Sequence, residues 1–274
     1  MQFKQTLVRL FFLLFPFAAF PQTTYLPQDA RENVLLERLE IKAQKDSILN
    51  FSKNRPFSRR QFFPRVDKYE ALLSGILITG KDTIRITGER DISFRELKVD
   101  LYNLQLALIK NNEWTNQQFS SKKTFLRTFY KSPANFYEVN TNDFFLALNP
   151  VIQYYIGKEA NNDQHIFLNT RGVTLRGRIA NKIGFAAYIT DNQERNPLYV
   201  QQFVTARNAV PGGGFYKQFK STGYDYFDAR GYITANIAKF IDVQFGYDKN
   251  FIGNGFRSLF LSDFSAPTLF LKLN

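Results

Sequence analysis

The sequence predicts a mainly β protein: an outer-membrane antiparallel β-barrel preceded by a small, partly helical N-terminal region. Three observations predict it. From Asp143 onward apolar and polar residues alternate with a period of two, which gives each strand one apolar and one polar face. The alternating runs are about ten residues long, with short turns and longer connections in alternation, as in membrane barrels; strands of soluble sandwiches average about 5–6 residues. Aromatic residues abound, 30 Phe and 14 Tyr in 274 residues, and Phe144, Tyr154, Tyr155, Tyr188, Tyr232 and Tyr247 suit interfacial girdles. A soluble secreted β-sandwich also alternates and is the competing fold.

The first segment, residues 1–22, reads as a secretory signal peptide. Lys4 and Arg9 precede an apolar core from Leu10 to Phe20, followed by Pro21 and Gln22. The run is too short for a spanning helix, and a buried N-terminal helix is the alternative. Cleavage is expected near Ala19 to Gln22. With no cysteine in the chain, a lipid-anchored cysteine, a disulfide framework and a thiolate metal site are all excluded. One histidine, His165, leaves no basis for a His-based metal site or a Ser-His-Asp triad. The net charge of +12 admits nucleic acid, an anionic surface or an acidic polymer as partner. Export argues against nucleic acid, and the basic residues are scattered apart from Arg59 with Arg60 and Lys122 with Lys123.

Residues 23–135 carry the helical expectations. Val34, Leu35, Leu36, Leu39 and Ile41 fit a helix or a strand. Phe57 to Phe63 reads as a basic connector, and Pro64 as the first position of a helix with Val66, Tyr69, Leu72 and Leu73 on one face and Gly75 as its stop. Ile76 to Thr87 suggests a small hairpin turning at Gly80 to Asp82. The clearest helix covers Ser93 to Asn111. Ser93 and Glu96 fit a capping box, and Leu97, Leu101, Leu104 and Leu108 form an apolar stripe opposite Arg95, Lys98 and Gln105.

Residues 136–274 carry the strands. Phe144, Leu146, Leu148, Ile152, Tyr154 and Ile156 share one parity. Val173, Leu175 and Ile179 oppose Thr174, Arg176 and Arg178. Asn181 and Lys182 turn into Ile183, Phe185, Ala187 and Ile189, a hairpin. Pro197 to Arg207 reads as a short amphipathic helix with Tyr199, Val200, Phe203 and Val204 grouped, and 211–214 as a flexible loop. Strands follow over Phe227 to Ala238 and Phe240 to Tyr247, where Ile241, Val243, Phe245 and Tyr247 alternate with Asp242, Gln244, Gly246 and Asp248. A last alternating run holds Leu269, Leu271 and Leu273. This gives about six strands, whereas single-chain bacterial barrels have at least eight. The expectation is therefore a truncated barrel, the first part of a longer one; strands supplied by another chain are the alternative.

Three segments carry a family resemblance: Asn169-Thr170-Arg171-Gly172 through Leu175-Arg176-Gly177; Phe245-Gly246-Tyr247-Asp248-Lys249-Asn250; and Gly253-Asn254-Gly255-Phe256-Arg257-Ser258-Leu259 through Leu261-Ser262-Asp263. They resemble the Wzi-type capsule-assembly family, in particular its gliding-motility RemB branch. The stretch Asp100-Leu101-Tyr102-Asn103-Leu104, then Asn111-Asn112-Glu113-Trp114, is similar to the segment that family places before its barrel. The resemblance implies a barrel in outer-membrane lipid with a periplasmic helical part. It also implies surface polysaccharide or gliding and capsule-export machinery as partners, and no cofactor.

Candidate ligand-binding residues follow from strand parity. Arg171, Arg176, Arg178, Asp242, Asp248 and Lys249 are polar residues on or beside strands, and the polar parity of a barrel faces its lumen. There they would contact an acidic polysaccharide, since arginine presents two parallel donors to a carboxylate. The plainer alternative is mutual pairing within the lumen. Arg257 joins them from the loop containing Gly253, Asn254 and Gly255, where an Arg257–Asp263 pair would fix the loop. Gly172, Gly177, Gly253, Asn254, Gly255, Ser258 and Asp263 read as structural residues of the resemblance. No nucleophile–base constellation stands out, and the paired acids Asp191 and Glu194 have no placement a glycosidase motif would give. The chain is expected to be non-enzymatic and to bind no metal. A pore and a soluble secreted β-sandwich adhesin are the other functional classes.

Overall fold

The computed structural model describes residues 24–273 except 29, 44–45, 50–55, 79–82, 86–90, 116, 121–129, 131, 161, 181, 239–240, 254 and 256. The signal-peptide expectation lies outside the described residues. Helix α1 spans Arg31–Ala43, α2 Arg59–Ile78 and α3 Phe94–Lys110, with a 3-10 turn at Asn112–Trp114. Strands β1 (Thr83–Arg85) and β2 (Asp91–Ser93) form a small antiparallel pair between α2 and α3.

The ambiguous first segment is helical because one face is needed by the core: Leu35, Leu36 and Leu39 are buried, while Val34 and Ile41 stay exposed. The expected connector over Phe57 to Phe63 is corrected. Phe62 and Phe63 are 2% and 0% exposed, and burying both adjacent rings draws Arg59 to Phe63 into α2. Pro64 therefore lies inside the helix rather than at its start. As the sixth residue of α2, Pro64 forfeits the one helical hydrogen bond that an N–H there would make to the Arg60 carbonyl, a loss offset by burial of the two rings. Gly75 also fails to stop the helix; glycine costs about 1 kcal/mol in a helix interior but does not by itself end one. The small hairpin lies later than expected, at β1 and β2, and its expected turn falls outside the described residues. Helix α3 matches the expected leucine stripe, with Leu104 and Leu108 fully buried. The Ser93–Glu96 box falls on side chains outside the described set.

The remaining strands build one eight-stranded antiparallel sheet. They are β3 (Tyr137–Asn140), β4 (Phe144–Lys158), β5 (His165–Ile179), β6 (Ile183–Arg195), β7 (Lys217–Phe219), β8 (Gly223–Ala238), β9 (Ile241–Asp248) and β10 (Thr268–Leu273). Helix α4 (Leu198–Arg207) lies between β6 and β7. The order is β10-β9-β8-β6-β5-β4-β3, with β7 pairing to β8. The longest strands run well beyond the expected ten residues, and β3 and β7 carry too few residues for a periodicity signal. The sheet is open: β3 and β10 form its edges and do not pair with each other among the described residues.

Register fixes the faces. Phe144 opposes Ile179, Ile179 opposes Ile183, and Ile183 opposes Ala235. One face thus gathers Leu146, Leu148, Leu175, Phe185, Ile189, Ile233, Phe245, Leu269 and Leu271. Many of these are solvent-exposed, with Ile152 at 81% and Leu269, Leu271 and Leu273 at 69%. The other face gathers Asn149, Gln153, Thr174, Arg176, Arg178, Tyr188, Thr190, Asn192, Asp228, Arg230, Gln244 and Asp248. Its Thr170, Thr190, Thr234 and Gln244 are almost fully buried. The polarity is inverted relative to a water-soluble sheet. On β8 the apolar series from Phe227 to Ile237 covers about 33 Å at roughly 3.3 Å per residue.

The connections are also asymmetric. The short connections from β3 to β4, β5 to β6 and β8 to β9 lie at one end of the sheet, and the longer ones from β4 to β5, β6 to β8 and β9 to β10 lie at the other. Residues 211–214, expected as flexible, form a turn in which Val210 and Gly214 are bridged. The α4 grouping is corrected as well. Val204 is buried with Val210 and Tyr224, while Tyr199 and Phe203 face outward.

Candidate functional site: a basic cavity under the helical region

Helices α1 to α3 share a core in which Leu36, Phe63, Val66, Leu104 and Leu108 are at most 1% exposed. That body sits on the polar face of the sheet. Arg176 of β5 pairs with Glu113, and its other nitrogen donates to the Lys110 carbonyl at 2.7 Å. The Arg178 guanidinium lies 5.6 Å from the centre of the Trp114 ring, a cation–π distance. The Tyr25 backbone N–H donates to the Tyr232 hydroxyl at 2.8 Å. Asn112 donates to Glu138 of β3 at 2.9 Å.

These contacts leave a cavity of about 410 Å³ between the two bodies. From the helical side it is lined by Tyr25, Glu32, Arg59, Lys110 and Asn111. From the sheet it is lined by Asn149, Thr174, Arg176, Tyr188, Arg230, Tyr232, Gln244, Asp248, Lys249 and Lys272. Strand parity explains the sheet's share, since every strand residue just named belongs to the polar face. Lys249 extends that row just past β9.

The cavity is dominated by positive charge. Lys110 donates to Glu32 at 2.9 Å. Burial pushes the Glu32 carboxyl up; the Lys110 charge and hydrogen bond outweigh it, so the group ends below its ordinary value. Arg230 lies 3.0 Å from Asp228 and 3.5 Å from Asp248. Arg59, 7% exposed, donates to Asn111, and its Nε has no hydrogen-bond partner among the described residues. Burial, and then repulsion from Arg176, pushes it down to about 10, which leaves it charged at neutral pH. Burial and repulsion from Arg230 likewise push Lys249 down.

The expected site residues separate into three groups. Arg176, Asp248 and Lys249 meet at the cavity. Arg178 and Asp242 are on the same face but are engaged elsewhere, Arg178 on Trp114 and Asp242 with Asn236 Nδ2 at 2.7 Å. Arg171 is a correction. It shares the parity of Val173 and Leu175, points away from the polar face, and pairs with exposed Asp191 at 3.2 Å. It lies towards the long-loop end, where the outer parity turns polar. Arg257 does not line the cavity. It bonds Asp263 at 2.9 Å and lies 4.6 Å from the Phe264 ring centre. The Arg257 hydrogen bond holds the Asp263 carboxyl below its usual value.

The structural residues of the resemblance are placed as follows. Gly253 has φ +116°, a region glycine occupies without penalty, and Ser258 Oγ accepts from the Ile252 N–H at 3.0 Å, closing the same loop. Gly172 and Gly177 lie in β5; a Cβ on Gly177 would meet the Phe185 ring at 2.3 Å. Gly255 is in the loop, and Asn254 lies outside the described residues.

The sequence reading missed Arg59 as a site residue, together with Lys110, Arg230 and Lys272. A signal existed for two of them. Arg230 continues the polar parity of Tyr226, Asp228 and Tyr232, and Lys272 breaks the Leu269 to Leu273 run on the opposite parity. Arg59 and Lys110 reach the cavity only through the docking of the helical region.

No protein-family model, curated protein or solved structure matches the chain. Among the described residues no helix is long and apolar enough to cross a membrane, which says nothing of strands.

Proposed function

We propose that the chain is an outer-membrane β-barrel protein, non-enzymatic, that attaches or organises an acidic surface polysaccharide. The observation that carries the reading is the inverted sheet: a continuous, uncovered apolar face backed by a buried polar one. In water such a face would be a large aggregation-prone patch; in lipid it meets its preferred solvent. Tilted by about 40°, the roughly 33 Å series on β8 rises about 25 Å, the height of the lipid-facing band of such barrels. The segregation of tight turns and long connections to opposite ends agrees with periplasmic turns and extracellular loops. A β-sandwich would cover that face with a second sheet, and no other sheet lies on it among the described residues. Open edges at β3 and β10 need strand partners in lipid, because unpaired N–H and C=O groups lose water without replacement there.

The polysaccharide part rests on the basic inner face and on the resemblance carried by Gly253 to Asp263. A role in gliding is the variant within the same reading. An open pore is disfavoured by the helical region seated against the polar face. Membrane fractionation tests the reading. Recovery in the outer-membrane fraction, with detergent needed for extraction, is expected; recovery in the soluble periplasm or cytosol would sink it.

A further inference from the structure

Counting charge at the cavity identifies what could fill it. Its lining holds six cations, Arg59, Lys110, Arg176, Arg230, Lys249 and Lys272, and two carboxylates, Glu32 and Asp248. Glu113 and Asp228 touch two of those cations from just outside the lining. Six cations less these four carboxylates leaves a surplus of two positive charges in a partly buried space. Uncompensated charge in such a place is costly. A polar atom tells the same story: the Arg59 Nε donor is buried with no hydrogen-bond partner among the described residues. Neither Lys249 nor Lys272 has a carboxylate within ion-pair distance among the described residues.

We propose that this cavity is a binding site for a small dianionic ligand, a phosphomonoester such as a phosphorylated sugar, held by Arg59, Lys249 and Lys272. A phosphomonoester carries about −1.5 to −2 charges at neutral pH, with three acceptor oxygens, which matches the surplus and the orphaned Arg59 donor. A monocarboxylate neutralises only half of it. The volume, about 410 Å³, lies within the range of small-molecule sites, about 300–1,000 Å³. Tyr25, Tyr188 and Tyr232 supply walls for the carrier. The site does not rest on the membrane reading, because its walls are the helical body and the polar face alone.

The test is calorimetric titration of the folded full chain with glucose 1-phosphate, inorganic phosphate, glucuronate and glucose, against Lys249→Gln and Lys272→Gln. Both lysines are only partly buried, and circular dichroism checks that each variant folds. Glucose 1-phosphate is expected to bind, with affinity falling about tenfold in each variant, the loss of one charge-assisted hydrogen bond. Glucuronate should bind at least tenfold more weakly, and glucose not at all. Inorganic phosphate binding as tightly as the sugar phosphate keeps the oxyanion site and assigns it to free phosphate. Equal binding of glucuronate and the sugar phosphate overturns the dianion assignment. No binding of either phosphate, or binding unchanged in both variants, overturns the site. The titration reads the same in detergent or in buffer, so failure of the membrane reading would show separately, in fractionation.

Discussion

The helical region and the sheet bury opposite chemistries. In the first, Leu36, Phe63 and Leu108 are sealed inside, and a carboxylate buried beside them is paired, as with Asp100 accepting from Arg38 at 2.9 Å. In the second, Thr190, Thr234 and Gln244 are sealed inside, and Ile152, Ile233 and Leu271 are left uncovered. Burial follows solvent, so one chain with two burial rules points to two solvents. Where the two bodies meet, each contributes its polar side, and the basic cavity forms at that seam.

The sharpest way to separate the two regimes is to damage each core in kind. Phe63→Ala opens a cavity among α1, α2 and α3 and should cost about 3–5 kcal/mol, read as a lower denaturation midpoint of the helical signal. Arg176→Ala attacks the seam. Glu113, 4% exposed at its side chain, loses its partner, and an uncompensated buried charge costs about 3–5 kcal/mol. Loss of protection of the 110–114 backbone in hydrogen exchange would register it, and unchanged protection would mean that Arg176 does not hold the helical body.

Ile233→Arg tests the solvent of the apolar face. In lipid it should cost about 2–4 kcal/mol near the bilayer midplane, measured by refolding into vesicles. On a water-exposed face the same change should stay within about 0.5 kcal/mol. A value in the second range would break the comparison.

Acid should affect the helical region through Glu32. Its carboxyl sits below its ordinary value in the folded chain, so the stabilisation is complete above that ordinary value and is lost as pH falls through the folded one. Glu32→Gln should therefore flatten part of the acid limb of a stability–pH curve, with Asp46 and Asp263, also depressed, retaining the rest. The smallest effect is expected at Arg257→Ala. Its side chain is 59% exposed, and such pairs contribute about 0–1 kcal/mol. A loss of several kcal/mol would give that loop a larger role than closing itself.

Legibility followed the range of the interactions involved. The long strands β4, β5, β6 and β8 could be read from Phe144 to Ile156, Val173 to Ile179, Ile183 to Ile189 and Phe227 to Ala238, because a period of two is written in neighbouring residues. Strands β3 and β7 were invisible because their short spans carry almost no period and depend on pairing to a longer neighbour. Helix α2 was misplaced because Pro64 and Gly75 are strong local signals, overridden by the burial of Phe62 and Phe63. Arg171 was misassigned because residue type was allowed to outweigh its parity with Val173 and Leu175.

The cavity illustrates the division most clearly. The alternation by itself determined that Arg176, Arg230, Asp248 and Lys272 share a face, since side-chain direction in a strand is a local property of the backbone. Only the tertiary structure decided that Arg59 and Lys110 would stand opposite them. That juxtaposition depends on how α1 to α3 dock on the sheet through Arg176, Arg178 and Tyr232, contacts between residues more than 60 positions apart. No periodicity encodes such a separation.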